Sequence, residues 1–132
     1  MKSICTINRF GTKEWRLNGN LHREDGPAID RYNGSKEWYI NGDLHREDGP
    51  AITSSNGSKE WYLNGKRHRL DGPAYEGVDG TKEWWVNGLP HREDGPAVEY
   101  VDGYKEWYLH GKFIDCKDSQ EFLRMIKLKI FL

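Results

Sequence analysis

Residues 36–51 read KEWYINGDLHREDGPA, and this stretch decides the fold. Its tryptophan, Trp38, recurs every 23 residues along the chain without one insertion. The Asn-Gly pair, the His-Arg pair and the Asp-Gly-Pro-Ala string recur in the same register in four copies, whereas the fifth copy has His110 in place of the Asn and lacks the last two. A fixed period of this length indicates tandem repeats, so the chain is predicted to contain five copies of one unit.

Each unit contains two short segments suited to strands, bounded by Asn-Gly or Asp-Gly. These dipeptides are strong hairpin signals because both central residues of a type I′ turn need positive φ. The glycines recur every seven or eight residues and leave no room for a helix. The pattern therefore predicts an all-β fold: an elongated, solenoid-like stack of β-hairpin repeats in which each unit contacts mainly its neighbours.

Alternation along a strand separates the side chains of each unit into two faces. Trp38 and Ile40 should point one way, and Glu37 and Tyr39 the other. We expect the tryptophans to form the structural core, and the small Ala51 and its equivalents to mark a close approach of two backbones. The predicted core residues are Trp15, Trp38, Trp61, Trp84 and Trp107.

The two ends depart from the repeat. We predict an N-terminal capping strand over 1–10, tandem repeats over 11–114 with the last one incomplete, and an amphipathic helix over 115–132 that caps the C-terminal end. Asp118 with Glu121 forms a capping-box pattern. The predicted apolar face of this helix consists of Phe122, Leu123, Ile126 and Ile130. The segment has more apolar residues than the cap needs, so a homo-oligomer contact through this helix remains an alternative.

Charge and composition limit the classes of partner. Lys and Arg total 20 against 21 Asp and Glu, so a net charge of −1 gives no long-range attraction to nucleic acid. There is no apolar run of membrane-spanning length and no secretion signal after Met1, so we expect a cytoplasmic protein without membrane insertion. Cys5 and Cys116 lie near opposite ends, which predicts two free thiols.

The His-Arg-Glu-Asp string carries the most chemistry, but it does not predict a catalytic or metal site. One His and one carboxylate per unit give a weak metal site, and histidines of adjacent units should lie too far apart to share a zinc ion. No Ser or Cys recurs in every unit as a nucleophile. We therefore predict no enzyme activity, no metal and no cofactor, and expect these residues to satisfy backbone groups and pair with one another at each corner.

A second row of residues lies on the face opposite the tryptophans. Tyr, Trp and Arg are enriched in protein interfaces, so we predict that this row, together with the corner arginines, binds a protein partner. An alternative is that the face packs against the second segment of each unit in a flattened barrel or sandwich. The predicted partner-binding residues are Arg16, Tyr39, Tyr62, Trp85 and Tyr108 in the row, and Arg23, Arg46, Arg69 and Arg92 at the corners.

The unit Trp-x-x-Asn-Gly-x-x-His with a later Asp-Gly resembles the MORN repeat over residues 11 to about 113, and more closely its bacterial and phage variants. Those variants are typically tandem β-hairpins stacked into a meandering sheet. This chain has His-Arg-Glu-Asp-Gly-Pro-Ala where the usual unit has His-Gly-x-Gly, which looks like the arrays of large DNA phages and viruses. The resemblance implies an interaction scaffold rather than a reaction, in a host cytoplasm if the protein is viral.

Three hypotheses about function follow. The first is a protein-binding module, which by resemblance to the phage arrays could inhibit or adapt a host defence protein. The second is a binder or sponge for a small anionic ligand or nucleotide, held by Arg and His of adjacent units. The third is a structural subunit that assembles with copies of itself.

Overall fold

The computed structural model describes residues 2–129 and is all-β except for one short C-terminal helix, as the sequence predicts. No helix in this described range is long and apolar enough to cross a membrane. The strands are β1 Ile4–Ile7, β2 Lys13–Leu17, β3 Asn20–Leu21, β4 Ile29–Asp30, β5 Lys36–Glu37, β6 Tyr39–Ile40, β7 Asp43–Leu44, β8 Ile52–Thr53, β9 Lys59–Glu60, β10 Tyr62–Leu63, β11 Lys66–Arg67, β12 Tyr75–Glu76, β13 Lys82–Glu83, β14 Trp85–Val86, β15 Leu89–Pro90, β16 Val98–Glu99, β17 Lys105–Leu109 and β18 Lys112–Ile114; the helix is α1, Ser119–Leu128.

One antiparallel sheet of 12 strands runs through the whole array. In the three middle units, the Lys-Glu segment pairs with the segment after Ala in the unit before it and in its own unit. For example, Glu37 lies opposite Ile29 on one side and Ile52 on the other. This pairing joins successive units through backbone hydrogen bonds, so that the sheet is continuous although most of its strands are two residues long.

A second hairpin branches from the sheet in each unit, and the tryptophan marks the branch. The Trp38 amide donates to the Ala51 carbonyl at 2.7 Å, while the Trp38 carbonyl accepts from the His45 amide at 3.0 Å. The chain then turns at Asn41 and Gly42, whose φ values are 51° and 86°. These values fit the type I′ turn that the Asn-Gly pair predicts.

The Asp-Gly pair has two different roles, and the sequence prediction is wrong for one of them. Asp79-Gly80 lies in a turn that joins two sheet strands, with Gly80 at φ 97°. Asp48-Gly49 closes no hairpin, and Gly49 is not in the left-handed region. A Cβ at Gly49 would instead lie 3.0 Å from Cζ of Arg46. This glycine is needed because the arginine side chain crosses directly over it.

The buried residues are smaller than the sequence suggests. The four repeat alanines, Ala28, Ala51, Ala74 and Ala97, are fully buried, which confirms the close backbone approach. Trp107 is buried as predicted. The other four predicted core tryptophans are only partly buried, because no second layer covers their face and an arginine side chain takes that place.

The two ends of the array are formed by a strand and a helix. Strand β1 pairs with β2, as predicted for the N-terminal strand. Asp118 caps helix α1 by accepting from the Glu121 amide at 2.8 Å. Fully buried Phe122 packs with Trp107, Leu109 and Ile114.

The predicted apolar face of the helix is wrong at one position. Leu123 is 47% exposed, and Met125 packs against the core in its place, beside Ile126. Residues three and four after Phe122 share its face, whereas the residue next to it does not. Ile130 lies outside the described residues.

Candidate binding faces

The predicted row of aromatic residues forms one face with the strand glutamates, called here the aromatic face. In each unit the side chain after the tryptophan donates to the glutamate before it. The five bonds are Arg16 to Glu14 at 2.9 Å, Tyr39 to Glu37 at 2.9 Å, Tyr62 to Glu60 at 3.2 Å, Trp85 Nε1 to Glu83 at 2.9 Å and Tyr108 to Glu106 at 3.2 Å. Each ring is thus fixed by its polar end, with its side partly accessible to solvent.

Burial and the neighbouring carboxylates raise the pKa of two tyrosines on this face. Burial, with the hydrogen bond to Glu37 as the next cause, raises the pKa of Tyr39 to about 12. Burial and the charge of Glu106 likewise raise the pKa of Tyr108. Both hydroxyls therefore remain hydrogen-bond donors at neutral pH.

The aromatic face also includes the apolar residue of each neighbouring strand. Ile29 lies opposite both Glu14 and Glu37, so all three side chains share the face. Ile52, Tyr75 and Val98 hold the same register further along the sheet. The sheet is open and forms no closed barrel. The flattened-barrel alternative is therefore wrong, because the second segments join the same sheet edge to edge.

Arg67 adds a cation to this face that the sequence reasoning missed. Its guanidinium donates to Glu60 at 2.6 Å and to Glu83 at 3.3 Å. It also lies 5.3 to 5.7 Å from the ring centres of Tyr62, Tyr75 and Trp85. Equivalent positions hold Leu21, Leu44, Pro90 and Phe113. The departure from apolar residues at this position is the signal that could have singled out Arg67.

The opposite face carries the corners. In the second unit, the Arg46 guanidinium lies 3.9 Å from the ring centre of Trp38. Its Nε donates to Asp48 at 3.0 Å and one terminal nitrogen donates to the Pro50 carbonyl at 3.1 Å. Arg23, Arg69 and Arg92 repeat these three contacts. The arginine therefore serves as the cover of the tryptophan.

The corner histidine joins one unit to the next. The Nδ1 atom of His45 accepts from the Asn64 amide at 2.9 Å, and His22, His68 and His91 do the same for the following units. An accepting Nδ1 requires an unprotonated nitrogen, so the imidazole is neutral in this contact. Burial, reinforced by His110, lowers the pKa of His91. The prediction that corner residues satisfy backbone groups and pair with one another is confirmed.

Shallow grooves separate adjacent corners. Three of them have volumes of about 610 to 710 Å³, and each is lined by an Arg-Glu-Asp string or its Leu70 variant and by the Trp of the next unit. The carboxylates at their rims are 83 to 87% exposed. Leu70, which replaces the glutamate in the third unit, is 79% exposed. These rims favour cations over anions.

The structure divides the predicted partner-binding residues between two faces. The row from Arg16 to Tyr108 lies on the aromatic face, and the corner arginines lie on the groove face. The described residues contain no cluster of His, Cys, Asp or Glu that could hold a metal ion. Cys5 and Cys116 are both free.

No protein-family model matches the chain, and no curated protein matches it in sequence.

Proposed function

We propose that this chain is a non-enzymatic repeat scaffold that binds a protein partner through its aromatic face. The observation that carries the proposal is the row of rings held in place by the strand glutamates. Immobilising side chains on binding costs free energy, and rings that are already fixed avoid much of that cost. Tyrosine and tryptophan are also the residues that most often dominate interface energies.

The partner is a protein with a basic surface. The aromatic face combines apolar area with five glutamates and only three arginines that pair with them, so negative charge is in excess, and Glu106 has no ion pair among the described residues. Charge complementarity of this kind sets specificity and speeds association. By resemblance to the phage arrays, the partner belongs to the host, and a defence protein that the chain inhibits is the most specific form of the proposal.

The test is affinity capture from the native source with matched variants. Tyr39→Ala combined with Tyr62→Ala removes two rings from the aromatic face, and Leu70→Ser removes an exposed apolar side chain from the groove face. We expect the same captured protein with the wild type and Leu70→Ser, and its loss with the double variant. Circular dichroism must show both variants folded. Loss with Leu70→Ser alone would move the interface to the groove face and refute the proposal.

A small anionic ligand is the weaker alternative. Each corner arginine is already bonded to an aspartate and a carbonyl oxygen and lies on an indole ring, and carboxylates surround it. An anion entering the groove would have to compete with these contacts. Thermal stabilisation by nucleotides, with no captured protein, would favour this alternative.

Self-assembly has one observation in its favour. Strand β1 pairs only with β2 in the described chain, and its Ile4 and Ile7 are 72% and 63% exposed. An open edge strand with apolar side chains can pair with another chain. Light scattering that grows with protein concentration, and that Ile7→Lys abolishes, would support a self-assembling subunit.

A further inference from the structure

We propose that the aromatic face holds a binding cell for an arginine side chain of the partner, between Glu83 and Glu106. The inference rests on the proposed function, because it names the chemistry by which the same face recognises its partner. The repeat leaves a space between each pair of successive strand glutamates, bordered by the rings beside them, and each such space is called a cell here. The inference comes from comparing these cells.

The cell between Glu60 and Glu83 shows what such a site holds. Its occupant is the chain's own Arg67, which donates to both glutamates and lies among three aromatic rings. Planar guanidinium groups suit this setting because they pair with carboxylates and stack on aromatic faces. The third unit is therefore an internal example of the face binding a guanidinium.

The other glutamates of the row also have cations, with one exception. Arg16 pairs with Glu14 and Arg31 pairs with Glu37, at 2.9 and 2.7 Å. Within the described part of the chain, Glu106 has no ion pair, and its bond is to the Tyr108 hydroxyl. The repeat explains this difference, because the position of Arg31 is taken by Tyr100 in the fourth unit and the position of Arg67 by Pro90.

The cell at Glu106 keeps the rings while lacking the cation. Trp85 and Tyr108 occupy the positions that Tyr62 and Trp85 hold around Arg67, and Val98 lies between the two glutamates in place of Tyr75. Tyr100 lies close enough to both glutamates for their charges to raise its pKa, after the larger effect of burial. Its ring stacks on Tyr104 at 5.7 Å and is 41% exposed, which leaves the cell open to solvent.

The nearby lysines do not fill the cell. Lys105 lies opposite Glu99, and Lys112 lies opposite Leu109, so the sheet register places both on the other face. A carboxylate bordered by rings and without a cation attracts a guanidinium through a charge-assisted hydrogen bond and cation–π contact. Arg67 at 3.3 Å and the Trp85 indole at 2.9 Å both donate to Oε1 of Glu83, which leaves Oε2 for a further donor.

The test uses blocked arginine, N-acetyl-arginine N-methylamide, as the probe and blocked citrulline as its neutral control. Binding is followed by NMR through the indole N–H of Trp85. We expect saturable shifts with arginine and none with citrulline. Glu106→Gln should weaken binding about tenfold or more, because it removes the charge from the hydrogen bond. Glu93→Gln, on the groove face, should leave binding unchanged.

Two further variants use the repeat itself. Pro90→Arg places in this cell the side chain that occupies the neighbouring cell, and it should abolish binding of the probe. Arg67→Leu empties the neighbouring cell and should create a second site, with new shifts at Tyr62 and Tyr75. Equal binding of citrulline, or unchanged binding in Glu106→Gln or Pro90→Arg, would overturn the inference.

These measurements separate this inference from the proposed function. If the probe binds as expected but ring removal leaves partner capture intact, the cell is a cation site and the proposed interface is wrong. If ring removal abolishes capture but blocked arginine does not bind, the interface stands and the arginine cell is wrong.

Discussion

Replacing Arg46 by methionine tests whether the arginine covers the tryptophan. Methionine keeps an unbranched side chain over Trp38 but loses the cation–π contact at 3.9 Å and the bond to the Pro50 carbonyl. A partly exposed cation–π pair contributes about 0.5 to 1 kcal/mol. A hydrogen bond of this kind contributes about 1 kcal/mol. We expect Arg46→Met to reduce the free energy of unfolding by about 1.5 to 2 kcal/mol.

The assay is urea unfolding followed by circular dichroism, with Asp48→Asn as the control. That variant removes only the exposed partner of the ion pair, and exposed ion pairs contribute little, so its midpoint should stay near that of the wild type. A shift with Asp48→Asn as large as that with Arg46→Met would refute the reasoning.

A double-mutant cycle with Gly49 gives an independent check. In Gly49→Ala the new Cβ would lie 3.0 Å from Cζ of Arg46, so the guanidinium has to shift by a few tenths of an ångström from its place on the indole. Gly49→Ala should therefore destabilise the wild type but have little effect in the Arg46→Met background. Additive losses would mean that Gly49 is required for a reason unconnected with the arginine.

Three other predictions concern the C-terminal half. Phe122→Ala should lower the free energy of unfolding by about 3 to 5 kcal/mol because this ring is fully buried, whereas Leu123→Ala should lower it much less. Thermal unfolding compares the two variants. Equal losses of stability would mean that the helix packs differently. Because the pKa of His91 is lowered in the folded chain, the unfolded chain binds the proton more readily, so the free energy of unfolding should fall as pH drops below about 6.5. Urea unfolding across this range should show a smaller fall for His91→Asn than for the wild type. Parallel curves for the two proteins would contradict this prediction. Burial, followed by the charges of Glu121 and Asp115, raises the pKa of Cys116 to about 11. A maleimide at pH 7 should therefore label exposed Cys5 much faster than Cys116. Single-cysteine variants measure both labelling rates, and equal rates would contradict the prediction.

Sequence periodicity predicts the features of this fold that depend on local chemistry. The Asn-Gly turns and the buried alanines follow from single positions in the repeat, the first strand and the helix cap at Asp118 follow from the sequence at the two ends, and the structure has each of them. These features need only turn geometry, side-chain size and capping, which the residue types specify directly.

The sequence is less informative where the answer depends on which groups meet across units. Trp38 looks like a core residue by type, yet it is only partly buried, because among the described residues the side chain of Arg46 covers its ring. Gly49 looks like a turn residue, yet it makes room for Arg46. Both errors come from treating the residue alone, since neither the cover of an indole nor the space above a glycine is encoded next to it in the chain.

The same distinction separates structural from recognition residues in a repeat protein. The corner arginines recur in four units and make the same three contacts in each. These contacts explain why an arginine is present at this position of the repeat. Residues that break the register receive no such explanation, because a stack of identical units would be stable without them. Arg67, Leu70, Pro90 and Tyr100 are departures of this kind, and they change what adjacent units expose to solvent. Three of the four border the cells around Glu83. Specific binding to an otherwise uniform array requires a place where the surface differs from its own repeats, and this part of the aromatic face is such a place.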